Sequence, residues 1–439
     1  MIDSKSRKFD VPGTVGKIYV AILLVIFGGI VLHAPLIVGL GTLWPGYDLL
    51  IKSWKEILML VAGVIAIFLL CKTKQIRLLH DPIIIAIAAY AILHLILLFY
   101  APQGLVSSVA GLAIDLRYML FFGLVYIAMR LYPNYRKLFI KVGIIGALIV
   151  LIFALLQVFI LPHDILKYIG YNLNTISPYM TIDLNHDFVR INSTLRGPNP
   201  LGAYAGIVLT LIIAAIAKHK IKKDKWSLAI IAILFIGGLV ALWASYSRSA
   251  LIGTIIAVII VLAITTFRKL STKVWINSGL VLIALISGFM AIRNTDFVSN
   301  VLLHENPNGG SSISSNDNHV DSLRGGMSQL MSQPLGAGIG STGSASLYGS
   351  SPIIIENHYL FIAHEVGWLG LILFISIFVS ILIKLWGLRK NWLALGVLAS
   401  GISLALIGLL LPVWADDTVA IIWWGLAAIA LASANKDYN

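Results

Sequence analysis

Apolar runs of about 17 to 25 residues recur along almost the whole chain, each long enough to cross roughly 30 Å of hydrocarbon as a helix. That repetition admits few folds. Of 439 residues, 59% are hydrophobic and only 12% charged, which lies outside the soluble globular range and marks an integral membrane protein. Windows of about 19 residues give twelve spans, near 18–40, 57–71, 83–100, 118–129, 139–161, 201–217, 226–244, 251–266, 274–292, 359–383, 392–411 and 418–432. The expected fold is therefore all-α, a polytopic membrane protein of about twelve transmembrane helices with one long outward loop. Residues 1–292 hold the first nine spans, 293–357 the loop and 358–439 the last three. Nothing after the first run resembles a small-residue cleavage site, so it is expected to be a retained span. The one cysteine, Cys71, has no internal disulfide partner and is expected to pack between helices.

The net charge of +13 suggests nucleic acid until the charges are placed. With the N-terminus cytoplasmic, nine of the 32 Lys and Arg fall outside: Lys52, Lys55, Arg117, Lys167, Arg190, Arg196, Arg248, Arg293 and Arg324. The rest fall inside, the positive-inside pattern of an even number of spans with both termini cytoplasmic. The basic charge thus reflects topology, and no nucleic-acid partner is expected. Six of the nine outward residues are Arg, against a Lys-rich inner side. Interfacial snorkelling accounts for any single one of them. Several converging on one anion would suit a diphosphate, because guanidinium groups bind phosphate in bidentate fashion and stay charged.

The long polar stretch from Arg293 to Glu365 interrupts the spans. Loops of that length in a compact chain are usually functional or disordered. It carries Arg324 in a short amphipathic pattern, turns at Pro334-Leu-Gly336-Ala-Gly338-Ile-Gly340 and re-enters the membrane at Glu356-Asn-His358. His358 and Glu365 are seven apart, on one helix face about two turns apart. An intramembrane acid is a functional candidate by default, whereas a lone His at a span end is more often interfacial. Asp115 and Arg117 suggest a local ion pair. Gly197-Pro198-Asn199-Pro200 must break regular structure and pins Arg190 and Arg196 at the mouth of the sixth span. The turn Ser245-Tyr-Ser-Arg248-Ser-Ala holds Arg248 at the surface. Metal chemistry would need paired acids. The first outward loop has only Asp48 and Glu56, and Asp416-Asp417 reads as a solvated helix start, so no metal site and no cofactor is expected.

Taken in order, Arg190-Ile-Asn-Ser-Thr-Leu-Arg196-Gly-Pro-Asn199-Pro-Leu-Gly202, Ser245-Tyr-Ser-Arg248-Ser-Ala-Leu-Ile-Gly253, Arg324 before Pro334-Leu-Gly336-Ala-Gly338, and Glu356-Asn-His358-Tyr-Leu360 before Glu365-Val-Gly367-Trp-Leu-Gly370 resemble the O-antigen ligase and O-antigen polymerase superfamily of bacterial envelope proteins. The likeness is strongest from about Arg190 to Ile383, and the first five spans match only in number and position. It implies an enzyme of the bacterial cytoplasmic membrane whose active site faces outward. Such an enzyme would move a glycan from undecaprenyl diphosphate to an acceptor hydroxyl on a lipid, core oligosaccharide or cell-wall polymer, without metal or cofactor.

By position, the resemblance gives catalytic roles to His358, Arg248 and Arg324. Arg190 or Arg196 would assist in binding diphosphate or glycan, with Asn199, Arg117 and Glu365 near them. Arg side chains would stabilise the departing diphosphate, and His358 would take the acceptor proton. A polymerase, with a second lipid-linked repeat as acceptor, fits the same residues. A multi-span small-anion transporter is the alternative of another class.

Overall fold

A computed structural model describes residues 13–182, 185–221, 224–266, 324–328 and 331–432. The expected ninth span and residues 293–323 lie outside this set. Within it, nine helices are long and apolar enough to cross a membrane and two shorter apolar helices join them. The first span joins α1 (Thr14–Gly29) to α2 (His33–Leu43) through a 3-10 turn, and is followed by α3 (Trp54–Lys72), α4 (Pro82–Tyr100), α5 (Leu105–Leu131) and α6 (Arg136–Phe159). After the hairpin described below come α7 (Pro198–Ala217), α8 (Lys225–Ala244), α9 (Arg248–Thr265), α10 (His358–Gly387), α11 (Trp392–Ile407) and α12 (Asp417–Leu431).

Side-chain caps set several starts. Asp81, Asp224, Asn357, Asn391 and Asp416 each accept a backbone N–H from the first turn of α4, α8, α10, α11 and α12, satisfying donors that a helix N-terminus leaves orphaned. Pro198 occupies the first turn of α7, where a missing N–H costs nothing. The Gly-Pro-Asn-Pro motif therefore starts a helix, and the irregular backbone lies before it.

Every residue of α12 is buried, and its Trp423 and Trp424 pack with Trp414 and Phe378 at ring centroid distances of 5.2 to 6.4 Å. Small residues let neighbours approach, as expected inside a bilayer. Gly425 faces Phe27 and Phe121, and Gly253 faces Ser403 and Ile407. Rim helices instead turn apolar residues outward, such as Leu60, Val64, Ile67 and Phe68 of α3. Those faces suit lipid, and the chain is a multi-pass membrane protein. Cys71 is exposed at the end of α3, so it is not the packing residue expected.

Two features depart from a purely helical reading. Met180–Ile182 and Asn185–Arg190 form an antiparallel hairpin between α6 and α7. The fourth span, expected as 118–129, runs over Leu105–Leu131. Asp115, Arg117, Ser107 and Ser108 hid its first half from a hydropathy window, and all four are buried inside the bundle.

Candidate functional site

One end of the bundle collects the turns around 43–54, 100–105, 244–248 and 407–417 together with the hairpin. The segment after residue 331 folds onto this loop end. The backbone N–H of His358 donates to Gly408 O at 2.8 Å, and Asn357 Nδ2 donates to Leu409 O at 2.8 Å. These bonds tie the start of α10 to the end of α11.

The helix α10 is broken at Gly367, whose φ of 67° and ψ of −171° interrupt the spiral after two turns. The glycine turn 334–340 fills the break. Ala337 N donates to His364 O at 2.6 Å, Gly338 N to Glu365 O at 3.2 Å, and Trp368 N to Pro334 O at 3.0 Å. Carbonyls freed by the break thus find N–H donors, as buried backbone must. Gln103 Nε2 donates to Ala337 O at 2.6 Å, and Ser107 Oγ donates to Gly340 O at 2.7 Å, pinning the turn to the start of α5. At Gly338, φ is +104° and a Cβ would strike the Ala101 carbonyl, so only glycine lets the chain pass.

Glu365 holds the turn from below. Its Oε2 accepts from Gly340 N at 3.0 Å and its Oε1 from Thr342 N at 3.2 Å, and its carboxyl also meets that of Asp115. Asp115 in turn faces His94 Nε2 at 3.4 Å. The expected local pair of Asp115 with Arg117 does not form, because residues two apart on α5 project about 200° from one another and so reach different partners.

Arg117 instead joins a buried ionic cluster. Its guanidinium contacts Asp417 Oδ1 and the Ala415 carbonyl, and lies 3.8 Å from Glu56. Lys55 Nζ reaches Glu56 at 3.1 Å and Asp417 at 3.2 Å. Asp417 is 9% exposed, which overturns its reading as a solvated helix start: two cations draw it in. Trp54 Nε1 donates to His33 Nδ1 at 3.0 Å. Because an indole only donates, His33 Nδ1 is the acceptor there, and His33 Nε2 lies 3.3 Å from both Lys55 Nζ and Asp417 Oδ2. Two carboxylates and two permanent cations compensate one another, and these contacts join α2, α3, α5 and α12.

The other expected residues gather at the same end. Arg190 Nε donates to Ser245 O at 2.9 Å and its Nη2 to Asn199 Oδ1 at 2.6 Å. Arg248 opens α9 just beyond that turn, where Gly202 packs on Ser245, Ser247 and Ala250. Arg196 is exposed and close enough to Asp416 to act on it. Burial pushes the Asp416 carboxyl above the usual range, opposed by the Val419 N–H and by Arg196 and Arg117. Arg324 is exposed on the helical turn 324–328, whose Gly326 faces Leu360 and Ile355.

His358 is 2% exposed and stacks on Phe361 at 5.9 Å and packs on Phe374 at 5.5 Å. Among the described residues neither of its ring nitrogens has a hydrogen-bond partner. Among these residues no group of three or more His, Cys, Asp or Glu is arranged to hold a metal ion.

Sequence reasoning passed over His94, His33, Lys55 and Asp417 as partners. A histidine in the middle of an apolar run was the available signal for His94. Nothing local pairs His33 or Lys55 with a residue far along the chain. Compared with known proteins, the chain matches no family model, and no curated protein sequence matches it.

Proposed function

We propose that the chain is a metal-independent glycosyltransferase that moves a glycan from undecaprenyl diphosphate to an acceptor hydroxyl at the outer face of a bacterial cytoplasmic membrane. The reading takes the membrane as crossed twelve times, with both termini cytoplasmic. The observation that carries it is the gathering at one bundle end of Arg190, braced by Ser245 and Asn199, the exposed Arg196, Arg248 at the head of α9, and a buried His358 whose ring nitrogens lack partners among the described residues.

Arg190 and Arg248 stabilise the negative charge that builds on the departing diphosphate, and Arg196 and Arg324 extend the same positive field. His358 accepts the proton of the attacking hydroxyl. In this conformation its ring is covered by aromatic side chains, so the acceptor reaches it by displacement of the half-helix 358–366, with Gly367 as the hinge. Arg117 has a structural part in this scheme, since its guanidinium is committed to Asp417. Glu365 likewise acts on the glycine turn and contributes no diphosphate contact.

The test is glycan transfer by purified protein from a synthetic undecaprenyl-diphosphate oligosaccharide, in EDTA, with a terminal lipid and a second lipid-linked repeat both offered. His358→Ala should lower turnover roughly 10²- to 10⁴-fold, and Arg248→Lys should fail despite its charge. The acceptor consumed distinguishes ligase from polymerase. Transfer that survives His358→Ala sinks the base assignment.

A small-anion transporter is favoured by one observation, the helix broken at Gly367 and filled by a re-entering turn, an arrangement transporters use at substrate sites. Anion uptake into proteoliposomes without donor consumption would select it.

A further inference from the structure

Exposed tryptophans mark where the bundle meets the borders of the bilayer. Trp226 and Trp243 stand exposed near the two ends of α8, and Trp368 and Trp386 do the same on the part of α10 beyond its break. The first pair is separated by 17 positions and the second by 18, roughly 26 and 27 Å along a helix. Both lengths come close to the thickness of a hydrocarbon core, and tryptophan concentrates at its two borders. Trp243 directly precedes the 244–248 turn, so it marks the border at the loop end.

Trp44 falls on the same level. Gly237 of α8 faces Leu151 of α6, and Gly146 of α6 faces Val31 just before α2. All three helices run toward the loop end. Counted forward from those contacts, Trp243 comes level with Gln157 of α6 and Trp44 with Phe159, about 3 Å apart. An exposed stripe on α6, formed by Ile145, Ile149, Ile152 and Phe159, leads up to that level.

Two stretches that hydropathy leaves as connections broaden this border. After α2, Trp44, Tyr47, Leu49 and Leu50 are all exposed, and Gly41 faces Asp48. The short helix Asp48–Lys52 therefore folds back beside α2. Remote in sequence, the 3-10 helix Ile165–Ile169 exposes Tyr168, and Leu173 beyond it is 92% exposed. This second stretch is fastened to α2 as well. Val38, Leu166 and Tyr171 share one buried cluster, Gly39 faces Ile169 O, and Gly170 faces Thr42. The two stretches thus form one exposed apolar patch at the end of α2, a kind of surface that marks a membrane or protein contact.

Lipid is the occupant that fits. The patch continues the exposed stripe of α6 and lies at the level of Trp243. Trp44, Tyr47 and Tyr168 each join an apolar ring to a polar tip, the combination that suits a headgroup border. The charges around it, Lys52 and Lys167 against Asp48 and Asp164, cancel. Lys167 is moreover tied to Asp164 and lies over the Tyr168 ring at 5.2 Å. A strongly charged partner finds no complementary field there.

The geometry points to an interfacial platform, made of Trp44, Tyr47, Leu49, Leu50, Tyr168 and Leu173, that rests in the headgroup layer of the leaflet at the loop end. These stretches are membrane contacts and not water-exposed loops. The platform concerns lipid seating alone and stands whether or not the chain transfers glycans.

The experiment uses the full chain in phosphatidylcholine nanodiscs, with the exposed Cys71 removed by Cys71→Ser. A nitrobenzoxadiazole dye is attached through Leu50→Cys or Leu173→Cys, one on each stretch, and through Val64→Cys on the exposed side of α3 as a mid-span reference. Three quenchers are compared: phosphatidylcholine with a nitroxide on its headgroup, the same lipid with a nitroxide at the chain end, and aqueous iodide. Both platform labels should be quenched more by the headgroup nitroxide than by the chain-end one, the reverse of the order at Val64. Iodide should quench them several-fold less than it quenches the free dye. Iodide quenching as strong as that of the free dye, at either label, places that stretch in water and overturns the platform. Protection from all three quenchers shows a covering protein surface, such as a second copy, and overturns it equally. So does stronger quenching from the chain end, which puts the stretch inside the span. Leu49→Cys and Tyr168→Cys, exposed positions on the same stretches, replace either variant should it fail to fold.

Discussion

Gly367→Ala tests whether the break in α10 is built on glycine or merely tolerates it. The native φ of 67° with ψ of −171° belongs to a region essentially reserved for glycine, and another residue held there is strained by about 1–3 kcal/mol. The added Cβ would stand 2.5 Å from Pro334 O and 2.6 Å from the carbonyl carbon of Leu335. Both are backbone atoms, so no side-chain rotation relieves the contact. The turn must move, and moving it stretches the bonds from Trp368 N to Pro334 O and from Ala337 N to His364 O. Each such bond contributes about 0.5–1.5 kcal/mol net. Strain with two lost bonds comes to roughly 2–6 kcal/mol, a large share of an ordinary stability. Thermal unfolding in detergent, followed by tryptophan fluorescence, would read it. Gly63→Ala in α3 is the reference, since its Cβ would meet nothing within 4 Å and a helical Gly→Ala change should stabilise by up to about 1 kcal/mol. If Gly367→Ala unfolds at the same temperature as Gly63→Ala, the account of a glycine-dependent break is wrong.

Further outcomes are expected elsewhere. Arg117→Ala leaves Asp417 and Glu56 with Lys55 as the permanent cation among the described residues, beside His33, and should cost roughly 3–5 kcal/mol. An activity loss without destabilisation would instead make Arg117 a substrate contact. At the opposite end, Asp81 accepts from Lys384 Nζ at 2.9 Å and from Tyr126 OH at 3.0 Å. Burial raises its carboxyl, but Lys384 and the Ile83 N–H outweigh this and hold it below the usual range. A depressed carboxyl stabilises the fold above the ordinary carboxylate range, and the gain is lost as pH falls through the lowered value. Asp81→Asn should therefore flatten the acid limb of a stability–pH curve. The effect should be small because Lys384 is exposed.

Most of the architecture was legible because apolar length is a local property. The starts of α4, α8, α10 and α12 fall within one residue of the hydropathy reading. Long-range compensation was not legible. A window averages Asp115 and Arg117 as polar and ends the span, whereas in the bundle Asp115 lies beside His94 and Arg117 is paired with Asp417. The break at Gly367 was equally hidden. Glycine inside an apolar run is common, and this one acquires its meaning from Pro334 and Leu335, which close on it only in three dimensions. For the candidate site, the sequence supplied residue types and order. Which arginine is braced and which is locked in an ion pair depended on packing: Arg190 lies between Ser245 and Asn199, Arg117 beneath Ala415.

The buried ionic cluster also bears on the order in which the molecule can be assembled. Lys55 and Arg117 are synthesised early and Asp417 late, yet each cation is compensated by that one acid. Until α12 arrives, Glu56 is the other carboxylate the cluster provides for both. The early helices would then have to keep this end hydrated, or in the keeping of an insertion partner, while the rest of the chain is made. Closure comes with the last helix, when Asp417 meets the two cations and Thr418 Oγ1 donates to Ile30 O at 3.1 Å. A ribosome that stalls before that helix would release a chain whose membrane domain is inserted but not sealed, a natural substrate for quality-control proteolysis.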